Sequence, residues 1–163
     1  MKQSLILIDG MSGGGKSTVV SILGQKLPRT SILGFDKIKR FVSDFERGVR
    51  DNQIARDVTM VMAIKYLELG LSVIVENPFK SELEIDGYAD IARKSGIPCF
   101  KFQLFADTKV ALKRVMDRTK RNNGDLTEER AIRNISLFQP RNSLGLTVID
   151  TTNINPEQVA EKI

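Results

Sequence analysis

The chain of 163 residues has no histidine and a single cysteine, Cys99. Without histidine, Ser-His-Asp and Cys-His catalysis are excluded, and so is a zinc site with a histidine ligand. A general base must then be a carboxylate or, failing that, a lysine, tyrosine or cysteine. One cysteine cannot close an internal disulfide, which fits a reducing compartment such as the cytoplasm. Cys99 precedes an apolar stretch and reads as a buried thiol rather than a nucleophile. No apolar run approaches the ~18 residues that a membrane helix needs. The stretch Leu5-Ile6-Leu7-Ile8 is too short for the apolar part of a signal peptide and runs straight into Asp9. Repeats, linkers and low-complexity tracts are also lacking. The expectation is a cytoplasmic protein with neither a membrane nor a disulfide partner.

What is present is ordinary for a globular chain: 41% apolar and 28% charged residues. The length predicts one domain spanning residues 1–163. A net charge of +5 suits an anionic ligand such as a nucleotide or nucleic acid. Many small nucleotide enzymes are equally basic with no polymer partner.

Hydrophobic patterning predicts strands at Gln3–Asp9, Ser31–Phe35, Leu71–Val75, Cys99–Phe105 and Leu146–Ile149. Between them lie predicted helices at Ser17–Leu27, Asp36–Phe45, Ile54–Leu69, Ser81 to Gly96, Thr108–Thr119 and Glu129–Phe138. Arg47–Asn52 reads as a charged break. Ser81-x-x-Glu84 reads as a capping box, and Asn155-Pro156-Glu157-Gln158 opens a last helix. Lys120–Glu129, with Asn-Asn-Gly at its centre, reads as a mobile loop. Strands alternating with helices predict an α/β fold, a five-stranded parallel sheet with helices on both faces. In such sheets ligands bind at the C-terminal edge of the strands.

Gly10-Met11-Ser12-Gly13-Gly14-Gly15-Lys16-Ser17, followed by Thr18, fits G-x-x-x-x-G-K-[ST] between a strand and a helix. Glycines let the backbone fold tightly enough for several N–H groups to point at one phosphate, and the helix dipole adds to that. Lys16 would place a charge between the β- and γ-phosphates, and Ser17 a hydroxyl on Mg²⁺. The third strand ends in Glu76, the form of a Walker B element, a second candidate for the metal. Asn77 beside it is a candidate contact for the acceptor or for the metal shell.

Asp36 follows the second strand directly. It fits a base that takes a hydroxyl proton, and equally a helix N-cap. As a base it should face the cleft, open to solvent and free of a buried pair with Lys39 or Arg40. Lys39, Arg40, Arg47 and Arg50 are candidates for an acidic acceptor or for a solvated face. Arg114, Arg118 and Arg121 share one helical face and lead into the loop, from which arginines could reach the phosphates.

These pieces together resemble the P-loop kinases of the nucleoside- and nucleotide-kinase-like group. Within it the likeness is greatest to the polynucleotide kinase and zeta-toxin type, often labelled an AAA-like kinase domain. The residues that carry it are Gly10–Thr18, Asp36 with Lys39, Gly70–Glu76, Ala92–Pro98, Arg114 and Arg118, and Val148–Asn153. The resemblance implies a sheet order of 2-3-1-4-5 and a short lid at about residues 120–129. It also implies ATP and Mg²⁺ as cofactors, Asp36 as catalytic base, Lys16 and Arg118 as catalytic cations, and adenine between Arg114 and Thr152-Asn153. Where the family has Asp-x-x-Arg this chain has Asp36-x-x-Lys39, and lysine cannot make arginine's bidentate grip on phosphate.

The expected activity is transfer of the γ-phosphoryl group of ATP to a hydroxyl acceptor: a nucleic-acid 5′-end, a nucleoside, a sugar or an antibiotic. The alternative is a nucleoside monophosphate kinase, with Arg40, Arg47 and Arg50 on the acceptor phosphate. A third reading is a P-loop ATPase or switch with no acceptor.

Overall fold

The computed structural model describes residues 2–46, 48–79, 81–121, 127–138 and 145–163. Its five strands are β1 (Leu5–Gly10), β2 (Thr30–Gly34), β3 (Ser72–Glu76), β4 (Cys99–Phe105) and β5 (Thr147–Asp150). They form one parallel sheet in the order β2-β3-β1-β4-β5, the order that the resemblance implied. The helices are α1 (Lys16–Lys26), α2 (Phe35–Lys39), α3 (Val49–Glu68), α4 (Glu82–Lys94), α5 (Thr108–Arg121), α6 (Glu128–Ser136) and α7 (Pro156–Lys162).

All of β1 is buried, because successive side chains enter cores on opposite faces. Leu5 and Leu7 join Val73 and Val75 of β3 under α3 and α4, where Ala55, Ala63, Ile85 and Tyr88 pack. Ile6 and Ile8 join Ile74 and Leu104 under α1 and α7, with Val19, Leu23 and Val159. Each side chain of this size, fully buried, contributes roughly 1.5–3 kcal/mol. A third, smaller core joins α5 and α6 through Ala111, Val115, Ala131 and Ile135, and takes in Met11 from the loop after β1. Among the described residues no helix is long and apolar enough to cross a membrane.

The register sets the strand ends level: Ile8 pairs with Glu76, and Gly34 with Glu76 from the other side. The segments following β1, β2 and β3 therefore leave the same edge of the sheet.

Four local expectations are corrected. The helix expected over Asp36–Phe45 ends at Lys39. Beyond it the bonds are i to i+3, as in Phe41 N–H to Ile38 O at 3.0 Å and Val42 N–H to Lys39 O at 3.3 Å, so the chain tightens into turns. The break expected at Arg47–Asn52 is shorter, because α3 already begins at Val49 and Asn52 N–H bonds Gly48 O at 3.2 Å. The box expected at Ser81 is half made: Ser81 Oγ accepts from Glu84 N–H at 3.3 Å, but the Glu84 carboxylate turns to Arg56 and Asn77. By contrast, Asn155 and Gln158 cap α7 reciprocally. Lys120 and Arg121 belong to α5 rather than to a loop, and the centre of the expected lid lies outside the described residues.

Candidate active site

Between β1 and α1 the chain makes a tight, glycine-rich turn. Gly10, Gly13 and Gly15 have φ of 144°, 79° and 88°, values that disfavour any side chain. Space forbids one as well: a Cβ on Gly10 would stand 2.1 Å from Leu104 O, and one on Gly13 2.4 Å from Ala111 O. Gly15 is the N-cap of α1 and no side chain caps it. The first N–H groups of α1 therefore face the cavity without a side-chain acceptor, the arrangement that takes a phosphate.

Lys16 Nζ donates to Gly10 O at 2.7 Å and to Met11 O at 3.0 Å. Burial holds its pKa below the usual lysine value; the negative charges of Glu76, Asp9 and Asp36 oppose that shift, and Arg118 adds to it. Four charged side chains from four segments thus act on one ammonium group. Ser17 Oγ donates to Glu76 Oε1 at 2.6 Å, so the two expected metal residues meet across the gap between α1 and β3. One hydroxyl and one carboxylate suit Mg²⁺, which keeps several waters and takes few protein ligands beside phosphate oxygens.

Asp36 lies in the first turn of α2, whose N-cap is Gly34 rather than Asp36, and faces the same cavity with its side chain 83% exposed. It pairs with Lys39 at 3.1 Å, while its own side chain stays open to solvent. The pair is buried on the lysine side only. Lys39 also donates to Asn52 Oδ1 at 3.2 Å and stands 4.5 Å from the centre of the Phe35 ring. It is therefore a strut between α2 and α3, and the cationic side chain of α2 that lines the cavity is Lys37. Arg40 is exposed and lies off the cavity lining. Arg50 lines a separate hollow with Val42, Asp44 and Glu46, and Arg47 lies outside the described residues.

Asn77 does not reach the cavity lining either: it is fully buried, and its Nδ2 donates to Glu84 Oε1 at 2.6 Å. Glu84 also holds Arg56 in an ion pair, both partners being largely buried. Arg56 stands 4.9 Å from the centre of the Phe35 ring, on which Lys39 also rests. Sequence alone gave no sign of this network. Arg56 and Glu84 sit 28 residues apart, and no motif links them or Asn77.

On the other side, Arg114 donates to Gly13 O at 3.3 Å, Thr151 Oγ1 at 3.0 Å and Thr151 O at 2.8 Å. It ties α5 to the phosphate loop and to the loop after β5. The expected partners Thr152 and Asn153 are corrected, since neither lines the cavity. The Thr152 hydroxyl donates to Asp150 Oδ1 at 2.5 Å and accepts from Asp107 N–H at 2.8 Å, while Asn153 is exposed. That loop reaches the cavity through Thr151, Ile154 and Pro156 instead. Arg118 and Arg121 line the cavity, as do Gly10, Ser12, Gly13, Gly14, Gly15 and Thr18. Asn134, Leu137 and Phe138, from α6 and its end, complete that wall; for Leu137 and Phe138 the sequence offered only apolar character as a sign, and for Asn134 none. The cavity is about 830 Å³, toward the upper end of the range for small-ligand sites. Another residue that sequence reasoning passed over is Asp9, buried at its floor and accepting from Gln103 Nε2 at 2.7 Å.

Known structures share this architecture. A candidate kinase from Chloroflexus aurantiacus J-10-fl is 20% identical with a TM-score of 0.74, over 99% of this chain and 97% of that one. The APS kinase CysC of Mycobacterium tuberculosis, in complex with AMPPNP and APS, is 16% identical with a TM-score of 0.72, over 99% and 95%. The tunicamycin resistance protein of Deinococcus radiodurans is 18% identical with a TM-score of 0.65, over 99% and 93%. No curated protein matches the chain in sequence. The strand order and phosphate loop are those of the P-loop kinase fold. Residues 5–140 match the family model described as AAA domain, and the chain belongs to that family.

Proposed function

We propose that this protein is a P-loop phosphotransferase that uses ATP and Mg²⁺ to phosphorylate a hydroxyl group. The observation that carries the reading is Asp36: an exposed carboxylate on the cavity that also holds Lys16, Ser17, Glu76 and Arg118. The backbone N–H groups of Gly13–Lys16 would hold the β-phosphate, and Lys16 would leave the carbonyls of Gly10 and Met11 for the β- and γ-oxygens. Ser17 and Glu76 would hold Mg²⁺, which neutralises charge on the β- and γ-oxygens when bound. Asp36 accepts the proton of the acceptor hydroxyl as its oxygen bonds to the γ-phosphorus and the bond to the β-bridging oxygen breaks, releasing ADP. Arg118 offsets the charge that develops on the transferred group.

The acceptor wall favours a hydroxyl over a nucleoside monophosphate. An acceptor phosphate calls for arginines beside Asp36. Among the described residues, Arg40 and Arg50 lie off the cavity lining and Arg56 is neutralised by Glu84. ATP consumption measured across nucleosides, nucleoside monophosphates, 5′-hydroxyl oligonucleotides, sugars and aminoglycosides tests the proposal. Turnover with a hydroxyl compound is expected. Turnover with monophosphates alone would replace this reading with the nucleoside monophosphate kinase.

A further inference from the structure

Helix α3 carries apolar residues on two sides. Ala55, Thr59, Ala63 and Leu67 face the core and are buried. On the opposite side Ile54, Val58, Val61 and Ile64 are exposed, with Leu69 at the helix end, and Val61 is 65% exposed. Arg50, Gln53, Asp57, Lys65 and Glu68 are exposed on that side as well and border these apolar residues; an apolar stripe left on the surface of a small protein marks a contact surface. None of the five apolar residues lines the cavity.

We infer that a second copy of this chain covers the stripe, α3 against α3, antiparallel about a two-fold axis through Val61. The charges flanking the stripe point to this occupant. A two-fold axis normal to the helix sets each residue before Val61 against the residue equally far after it in the other copy. Val58 then meets Ile64, and Asp57 meets Lys65, each twice. Four residues along an α-helix is about 6 Å, so both charged pairs lie close beside the central valines. Asp57 and Lys65 are exposed, and their bonds within the helix are surface contacts: Gln53 Nε2 to Asp57 at 2.9 Å and Lys65 to Glu68 at 3.0 Å. Both can therefore turn to a partner. The two charged pairs are self-complementary, as a two-fold homodimer requires.

The test is the oligomeric state of the full chain by light scattering on a sizing column and by sedimentation over a range of concentrations. The wild type is expected to be a dimer. Val61→Glu should give a folded monomer, because the position is exposed in the single copy and only the dimer buries two carboxylates there. Asp57→Lys and Lys65→Asp, each alone, set like charges face to face and should weaken association by about tenfold or more. The double variant Asp57→Lys/Lys65→Asp restores opposite charges and should recover the dimer, which keeps the idea testable even if Val61→Glu fails to fold. A wild type that is monomeric throughout, a Val61→Glu dimer, or a double variant no tighter than the single ones would overturn it.

Discussion

The two halves of the cavity are built differently. The nucleotide half is made of backbone: three glycines with positive φ, uncapped N–H groups and a lysine resting on two carbonyls. The half proposed for the acceptor is made of side chains held by other side chains: Asp36 by Lys39, Phe35 between Lys39 and Arg56, and, behind the lining, Arg56 and Asn77 by Glu84. Backbone geometry admits few residue types, so the first half is written into the residues themselves. The second depends on which distant side chains meet, and many residue combinations would serve.

The largest expected effect falls on the acceptor half. Glu84→Leu leaves Arg56 charged and unpaired in a buried place and should lower stability by about 3–5 kcal/mol. Adding Arg56→Met should return most of that loss in thermal and denaturant unfolding. A double variant as unstable as the single one would show that Glu84 acts through Asn77 or packing rather than through the pair.

Gly10→Ala strikes the nucleotide half. Its backbone conformation alone should cost about 1–3 kcal/mol, and the Leu104 carbonyl leaves no room for the methyl group. ATP binding by calorimetry should be lost while far-ultraviolet circular dichroism persists. Lys16→Ala is milder: the fold should be kept and ATP affinity should fall roughly 10- to 100-fold, the size of a hydrogen bond to a charged group. Unchanged affinity would break the comparison, because the loop would then bind no phosphate. The smallest effect is Ser81→Ala, which removes the N-cap of α4 and should cost about 1 kcal/mol without changing ATP affinity.

How far the sequence could be read follows the same division. Periodicity located all five strands within a residue or two, because each is an apolar run closed by glycine, proline or a charge. The phosphate loop was legible for the steric reason that Gly10 and Gly13 now make concrete. Glu76 and Ser17 could be paired because both follow from strand ends and the loop motif. The strand order was not legible from periodicity and came through family likeness. Lys39 and Asn77 were misplaced because a short helix and a strand end do not reveal which way a polar side chain turns. Lys39 faces Asn52 and Phe35, and Asn77 turns into the buried Glu84 pair. Thr152 was one residue off: Thr151 is the residue pointing back to Arg114 and Gly14, and its neighbour turns away to Asp150.

The central claim is that Asp36 is the base of a hydroxyl kinase. The most direct measurement is turnover and ATP affinity of Asp36→Asn with the acceptor that the wild type uses. The exchange keeps size and removes basicity. The account predicts turnover lower on the order of 10²–10⁴-fold with ATP affinity nearly unchanged. Turnover within a few-fold of the wild type would contradict it.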